Sequence, residues 1–128
     1  MTTSVEQLMH DNLIAVFGER DAARRQAAIE RTYATAVRWT DAEGVTEGHA
    51  ALEAKCVALQ AGLGPLVFEP AGPVHELPGF AYLAWRLVDP STGQAQVSGF
   101  DTVLIADGVI TDLWTVVIPP QASPDALD

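Results

Sequence analysis

The sequence predicts an α+β fold in which three N-terminal helices pack on a strongly curved, mostly antiparallel sheet. Three observations carry that expectation. Apolar residues recur at helical spacing in the first half of the chain, the period changes to two after Pro65, and the final strands are apolar on both faces. The 128 residues suit one domain with a single core.

The first helix is expected over about residues 4–18. Thr3 or Ser4 can cap it, Glu6 or Gln7 closes a capping box, and Leu8, Leu13, Val16 and Phe17 follow at helical spacing. Asp21 can cap a second helix, whose stripe of Ala22, Ala23, Ala27, Ala28 and Ile29 opposes Arg24, Arg25, Glu30 and Arg31 and which ends near Tyr33. Residues 36–39 read as a short strand, turned by Asp41-Ala42-Glu43-Gly44. A third helix starts at about Gly48, runs through Leu52, Cys56 and Leu59, and is stopped by Gly62-Leu63-Gly64-Pro65. Short strands follow at residues 66–69 and 74–76, then longer ones at 80–88 and about 95–105 around the turn Asp89-Pro90-Ser91-Thr92-Gly93. Asp107-Gly108 is a strong hairpin signal leading into residues 109–118, and residues 119–128 read as a polar C-terminal tail.

A formal charge of −10 repels nucleic-acid phosphates and anionic membrane surfaces, so neither is an expected partner. Cys56 is the single cysteine, which rules out an internal disulfide and suits a reducing compartment. The sequence has no basic-then-apolar leader at its start and no run of about 18 apolar residues, so a cytoplasmic location is expected. Patterns for metal, dinucleotide or nucleotide binding are missing as well, and no metal or cofactor is expected.

Asp101 is the main candidate for chemistry. Strand alternation puts it on one face with Val97, Val103 and Ile105, where an ionised carboxylate without partners would cost several kcal/mol. It is therefore expected to be hydrogen-bonded, protonated or used, unless its strand is an edge with a partly solvated face. Asp41, in a glycine-containing turn, fits a second catalytic carboxylate and a purely structural cap equally well. Tyr33, Trp39 and Trp85 can form an aromatic wall, and Leu83, Val103, Leu113 and Thr115 share the inward strand faces. His75 is a candidate general base near Asp101, while His10 and His49 are assigned to solvated helix faces. On the other face Phe100, Leu104 and Trp114 would be exposed in a monomer, so a homodimer through the convex sheet face is expected.

Several motifs occur together in order. Tyr33-Ala34, then Trp39, Asp41 and Gly44, then Gly48 opening a helix are followed by Gly99-Phe100-Asp101-Thr102-Val103 and Asp107-Gly108-Val109-Ile110. Over about residues 5–118 this resembles the NTF2-like superfamily, especially its SnoaL-like and ketosteroid-isomerase branches, with Ala42 replacing the usual proline. The resemblance implies a cone-shaped fold with an internal pocket for a small hydrophobic molecule. In the ketosteroid-isomerase branch one aspartate is a general base and a second, kept protonated, donates to the developing oxyanion. By resemblance Asp41 takes the first position and Asp101 the second. That branch also uses a tyrosine in the first helix, where this chain has Leu13. A SnoaL-like cyclase needs no such tyrosine and would use Asp101 alone as acid and base. The resemblance thus implies isomerisation or cyclisation of a carbonyl-bearing or cyclic compound. A noncatalytic ligand-binding or dimerisation domain is the alternative. An epoxide hydrolase is less favoured, because its Asp-Arg-Asp set would require Arg86, which alternates away from Trp85.

Overall fold

The computed structural model describes residues 3–118, so the expected tail at 119–128 lies outside the described residues. Helix α1, Val5–His10, starts where the Ser4 side chain accepts from the Gln7 backbone N–H at 3.0 Å. It continues as a π-helical segment, Asp11–Phe17, in which Gly18 N–H reaches back five residues to the Leu13 carbonyl. Helix α2, Ala22–Thr32, is capped by Asp21, whose carboxylate accepts from Arg24 N–H at 2.9 Å.

Strand β1, Tyr33–Asp41, follows without a loop, and β2, Gly44–Glu47, pairs back on it through Asp41 opposite Gly44. Only then comes helix α3, His49–Leu63. The strand expected between the second and third helices is β1, and β2, which pairs back on it ahead of α3, is an element the sequence reading did not place. Strand β1 begins three residues before the expected start because Tyr33 itself is extended, at φ −118° and ψ 149°. The remaining strands are β3 (Val67–Pro70), β4 (His75–Leu77), β5 (Phe80–Val88), β6 (Ala95–Ala106) and β7 (Val109–Ile118).

The sheet order is β2-β1-β7-β6-β5-β3, with β4 also on β5. Every pairing is antiparallel except β1 with β7. The long excursion through α3 and the meander lets β1 and β7 run the same way, which no short turn could do. Asp107 and Gly108 sit at φ 54° and 80°, the left-handed pair that a two-residue turn between right-twisted strands requires. Register shifts in β1, β5 and β6 bend the sheet, giving it a curved form.

Alternation divides the sheet's faces. Ala81, Leu83, Trp85 and Leu87 of β5, with Val103 of β6 and Leu113 of β7, are buried in one core with Leu8, Val16, Ile29 and Leu52 from the helices. The opposite face carries Tyr82 stacked on Phe100 at 5.4 Å, with Leu104 40% and Trp114 38% exposed. A buried ion pair joins α2 to α3: Arg25 donates from Nε to Glu53 Oε2 at 2.7 Å and from Nη1 to the Glu19 carbonyl at 2.9 Å.

Candidate functional site

Strand β6 sets Asp101 between Leu83 of β5 and Thr115 of β7, facing the helices. The carboxyl group is 3% exposed and accepts three hydrogen bonds. Thr115 Oγ1 donates to Oδ1 at 2.8 Å, Trp85 Nε1 donates to Oδ1 at 3.1 Å, and Asn12 Nδ2 donates to Oδ2 at 2.7 Å. These donors are themselves held. Trp39 Nε1 donates to Thr115 Oγ1 at 2.9 Å, and the Tyr33 hydroxyl donates to Asn12 Oδ1 at 2.5 Å. Gly99, opposite Trp85, makes room for the indole, since a Cβ there would stand 2.5 Å from Trp85 Cζ2 and 2.4 Å from the Val116 carbonyl.

Burial pushes the Asp101 carboxyl up to about 6, against the pull of its Thr115, Trp85 and Asn12 donors, which favour the ionised form. Desolvation wins because no cation stands beside it. A carboxyl in that range exchanges its proton readily near neutral pH, which is what a group giving and taking the same proton needs.

Asp101 borders a cavity of about 650 Å³. Its walls are Leu13 and Phe17 from the π segment, Leu59 from α3, Trp39, Phe68, Trp85, Leu87 and Val97 from the strands, and Thr115 and Val117 of β7. The turn residues Asp41, Ala42 and Glu43 also border it, as do Thr40, Trp114 and Val116. Phe17 packs on Trp39 at 5.0 Å and Phe68 stands edge-on to Trp85 at 5.4 Å. None of the lining residues is Lys, Arg or His. The cavity therefore offers flat apolar walls, hydroxyls and carboxyl groups, and the nearby Lys55 ammonium is already engaged by Asp41 and Glu43.

Of the residues marked from sequence, Asp101, Asp41, Trp39, Trp85 and Thr115 meet at the cavity. Asp41 also closes its own turn, accepting from Glu43 N–H at 2.9 Å, and lies 3.5 Å from Lys55 Nζ. Lys55 bonds Glu43 at 3.0 Å and stands 5.5 Å from the Trp39 ring centroid, so the turn is tied to α3. Leu83, Val103 and Leu113 are buried in the core and are not among the cavity's lining residues. Tyr33 is buried behind Asn12, one side chain removed from Asp101.

His75 requires correction as a general base, because β4 places it on the opposite sheet face, exposed and 5.9 Å from the Tyr82 ring. His49 is likewise not on a solvated face. It is half-buried, with Nε2 at 3.1 and 3.0 Å from the Tyr33 and Ala34 carbonyls. Arg86 pairs with Glu69 and does not border the cavity, which leaves an Asp-Arg-Asp set without its arginine. No cluster of metal-ligating side chains occurs among the described residues. Cys56 is fully buried, and burial pushes its thiol up to about 12, where it is inert.

Asn12 was not singled out from sequence, although a signal existed. It lies four residues after Leu8 and four before Val16, inside the stripe that packs on the sheet, and a polar residue there needs a buried partner.

The backbone arrangement matches solved structures. A SnoaL-like family protein from Agrobacterium tumefaciens, for which isomerase activity has been suggested, superposes with TM-score 0.79 at 24% identity, covering 87% of this chain and 94% of that one. The chain has the NTF2-like fold. A Kribbella flavida protein with a suggested ketosteroid-isomerase activity superposes at TM-score 0.68 and 13% identity, covering 93% and 81% of the two chains. A SnoaL-like protein from Jannaschia, suggested to be a polyketide cyclase, gives 0.67 at 18% identity over 91% and 90%. No family model and no curated protein sequence matches this chain. Among the described residues, no helix is long and apolar enough to cross a membrane.

Proposed function

We propose that the protein is a SnoaL-like enzyme that moves a proton on a small, hydrophobic, carbonyl-bearing or cyclic compound, by isomerisation or ring closure. The observation that supports this most is a carboxyl group 3% exposed at the wall of a 650 Å³ aromatic cavity, raised to about 6 by desolvation. In this reading the neutral Asp101 donates to a ligand carbonyl or enolate oxygen, and the ionised form removes a proton from an adjacent carbon. Trp39, Trp85 and Phe17 sandwich the apolar body and exclude water. The walls are mostly apolar and the nearby Lys55 is taken up by Asp41 and Glu43, so the ligand is neutral and carries its polar group as a hydrogen-bond donor or acceptor. Asp41 adds shape and charge at the cavity in place of a second base, because Lys55 and its own turn already engage it.

One observation favours a second reading, that of a noncatalytic ligand-binding domain: all three neighbours of Asp101 donate to it, as they would to a purely structural carboxylate. A single pair of measurements separates the two. A β,γ-unsaturated cyclic ketone is offered to wild type and to Asp101→Asn, with the conjugated product followed by ultraviolet absorbance and binding followed by quenching of Trp39 and Trp85. The enzyme reading expects turnover that falls at least a hundredfold in the variant while binding changes little. Binding without turnover by the wild type, across a panel of such ketones, supports the binding domain.

A further inference from the structure

The hydrogen bonds around Asp101 assign distinct roles to its two oxygens. A carboxylate oxygen has two acceptor positions. Oδ1 uses both, for Trp85 and Thr115, whereas Oδ2 uses one, for Asn12. Taking a proton back is closed to one partner of Oδ1 and would cost the other a hydrogen bond. The indole N–H is donor only, and the Thr115 hydroxyl, which accepts from Trp39, would have to turn its hydrogen away from Asp101 Oδ1, its acceptor among the described residues. A proton or a ligand donor therefore comes most readily to Oδ2.

Asn12 is the one protein neighbour able to compete for that position. If its amide turned over, its carbonyl would accept a proton from a neutral Asp101 and its NH₂ would face Tyr33. The turn is opposed by Tyr33, 2% exposed, whose hydroxyl hydrogen has Asn12 Oδ1 as its acceptor among the described residues. Burial also pushes the Tyr33 hydroxyl well above its usual value, so it stays a donor. We propose that Tyr33, acting through Asn12, is a positioning residue: it holds Asn12 as a donor to Asp101 and so reserves the free position of Oδ2 for the ligand. This rests on the reading that Asp101 handles the ligand's proton.

Few charges complicate the test. The groups packed around Asp101 are Asn12 on the π segment, Tyr33 on β1, Trp85 on β5 and Thr115 on β7. Asp11 lies beside Asn12 but is 3.8 Å from Arg31, and Cys56 of α3 is a neutral thiol.

The experiment is a pH titration of the Asp101 carboxyl carbon by NMR in the full chain, its signal assigned by its loss in Asp101→Asn. Tyr33→Phe frees the Asn12 amide and should raise the Asp101 midpoint by about one pH unit, a tenfold gain in proton affinity. Asn12→Leu, or Asn12→Ala if the leucine variant does not fold, should raise it too, and adding Tyr33→Phe to that variant should then add nothing. Val37→Ala, on the same strand and buried, is the control for general loosening: it should lower the melting temperature and leave the midpoint unchanged. An unchanged or lowered midpoint in Tyr33→Phe, or a shift that persists without Asn12, overturns the proposal. The titration needs no turnover, so its outcome is independent of whether the ketone assay detects an enzyme.

Discussion

Asp101 couples the site to stability through a single proton. Its folded value of about 6 lies above the ordinary 3.8, so between those values the folded state binds more protons than the unfolded one. Stability from this group is thus fullest below about pH 4, falls as pH rises to about 6, and is flat above. Two units correspond to about 3 kcal/mol. Asp101→Asn does not titrate, so its stability relative to wild type should improve by about 2–3 kcal/mol between pH 4 and pH 7, as read from urea unfolding at the two pH values. Gly99 is the second sensitive position. An alanine Cβ would meet both the Val116 carbonyl and the Trp85 ring, so Gly99→Ala should cost about 1–3 kcal/mol by overpacking and weaken ligand quenching of Trp85. At this scale strand alternation made Asp101 legible, because a two-residue period needs only its immediate neighbours. The role of Tyr33 was not legible, because it depends on a contact with Asn12, 21 residues away, that only the packed helix creates.

Among the elements, the pairing of α2 with α3 rests on Arg25 and Glu53. The Arg25 guanidinium holds the Glu53 carboxyl below its usual range, and the arginine side chain is 4% exposed. Glu53→Ala would leave that cation buried with only the Glu19 carbonyl and Gln60 as acceptors, and should cost about 3 kcal/mol in a urea unfolding curve. The helices were legible from caps and periodicity, and the hairpin at Asp107-Gly108 from turn chemistry, since each is decided locally. Two features were not. A strand at 36–39 between the second and third helices was legible, but β2, Gly44–Glu47, which pairs back on it ahead of α3, was not. The parallel pairing of β1 with β7 joins Trp39 to Leu113, a separation across which no local pattern carries register.

The molecule as a whole leaves an apolar band of Tyr82, Phe100, Leu104 and Trp114 on the sheet face opposite the core. We propose that a second copy covers it. Light scattering at micromolar concentration should give a dimer mass, and Leu104→Lys should give a monomer with unchanged circular dichroism; a wild-type monomer contradicts this. With −10 on each chain, association should tighten as salt rises from low ionic strength. The cavity is likewise a product of the whole fold, since it draws walls from the π segment, α3 and five strands and no single element encloses it. Its chemistry turns on one group. The direct test is the NMR titration of the Asp101 carboxyl in the wild-type chain, alone and saturated with a neutral cyclic ketone. A midpoint near 6 is expected, and it should rise when the ketone accepts a hydrogen bond from the neutral acid. A midpoint near 4 that no ketone moves would contradict that expectation.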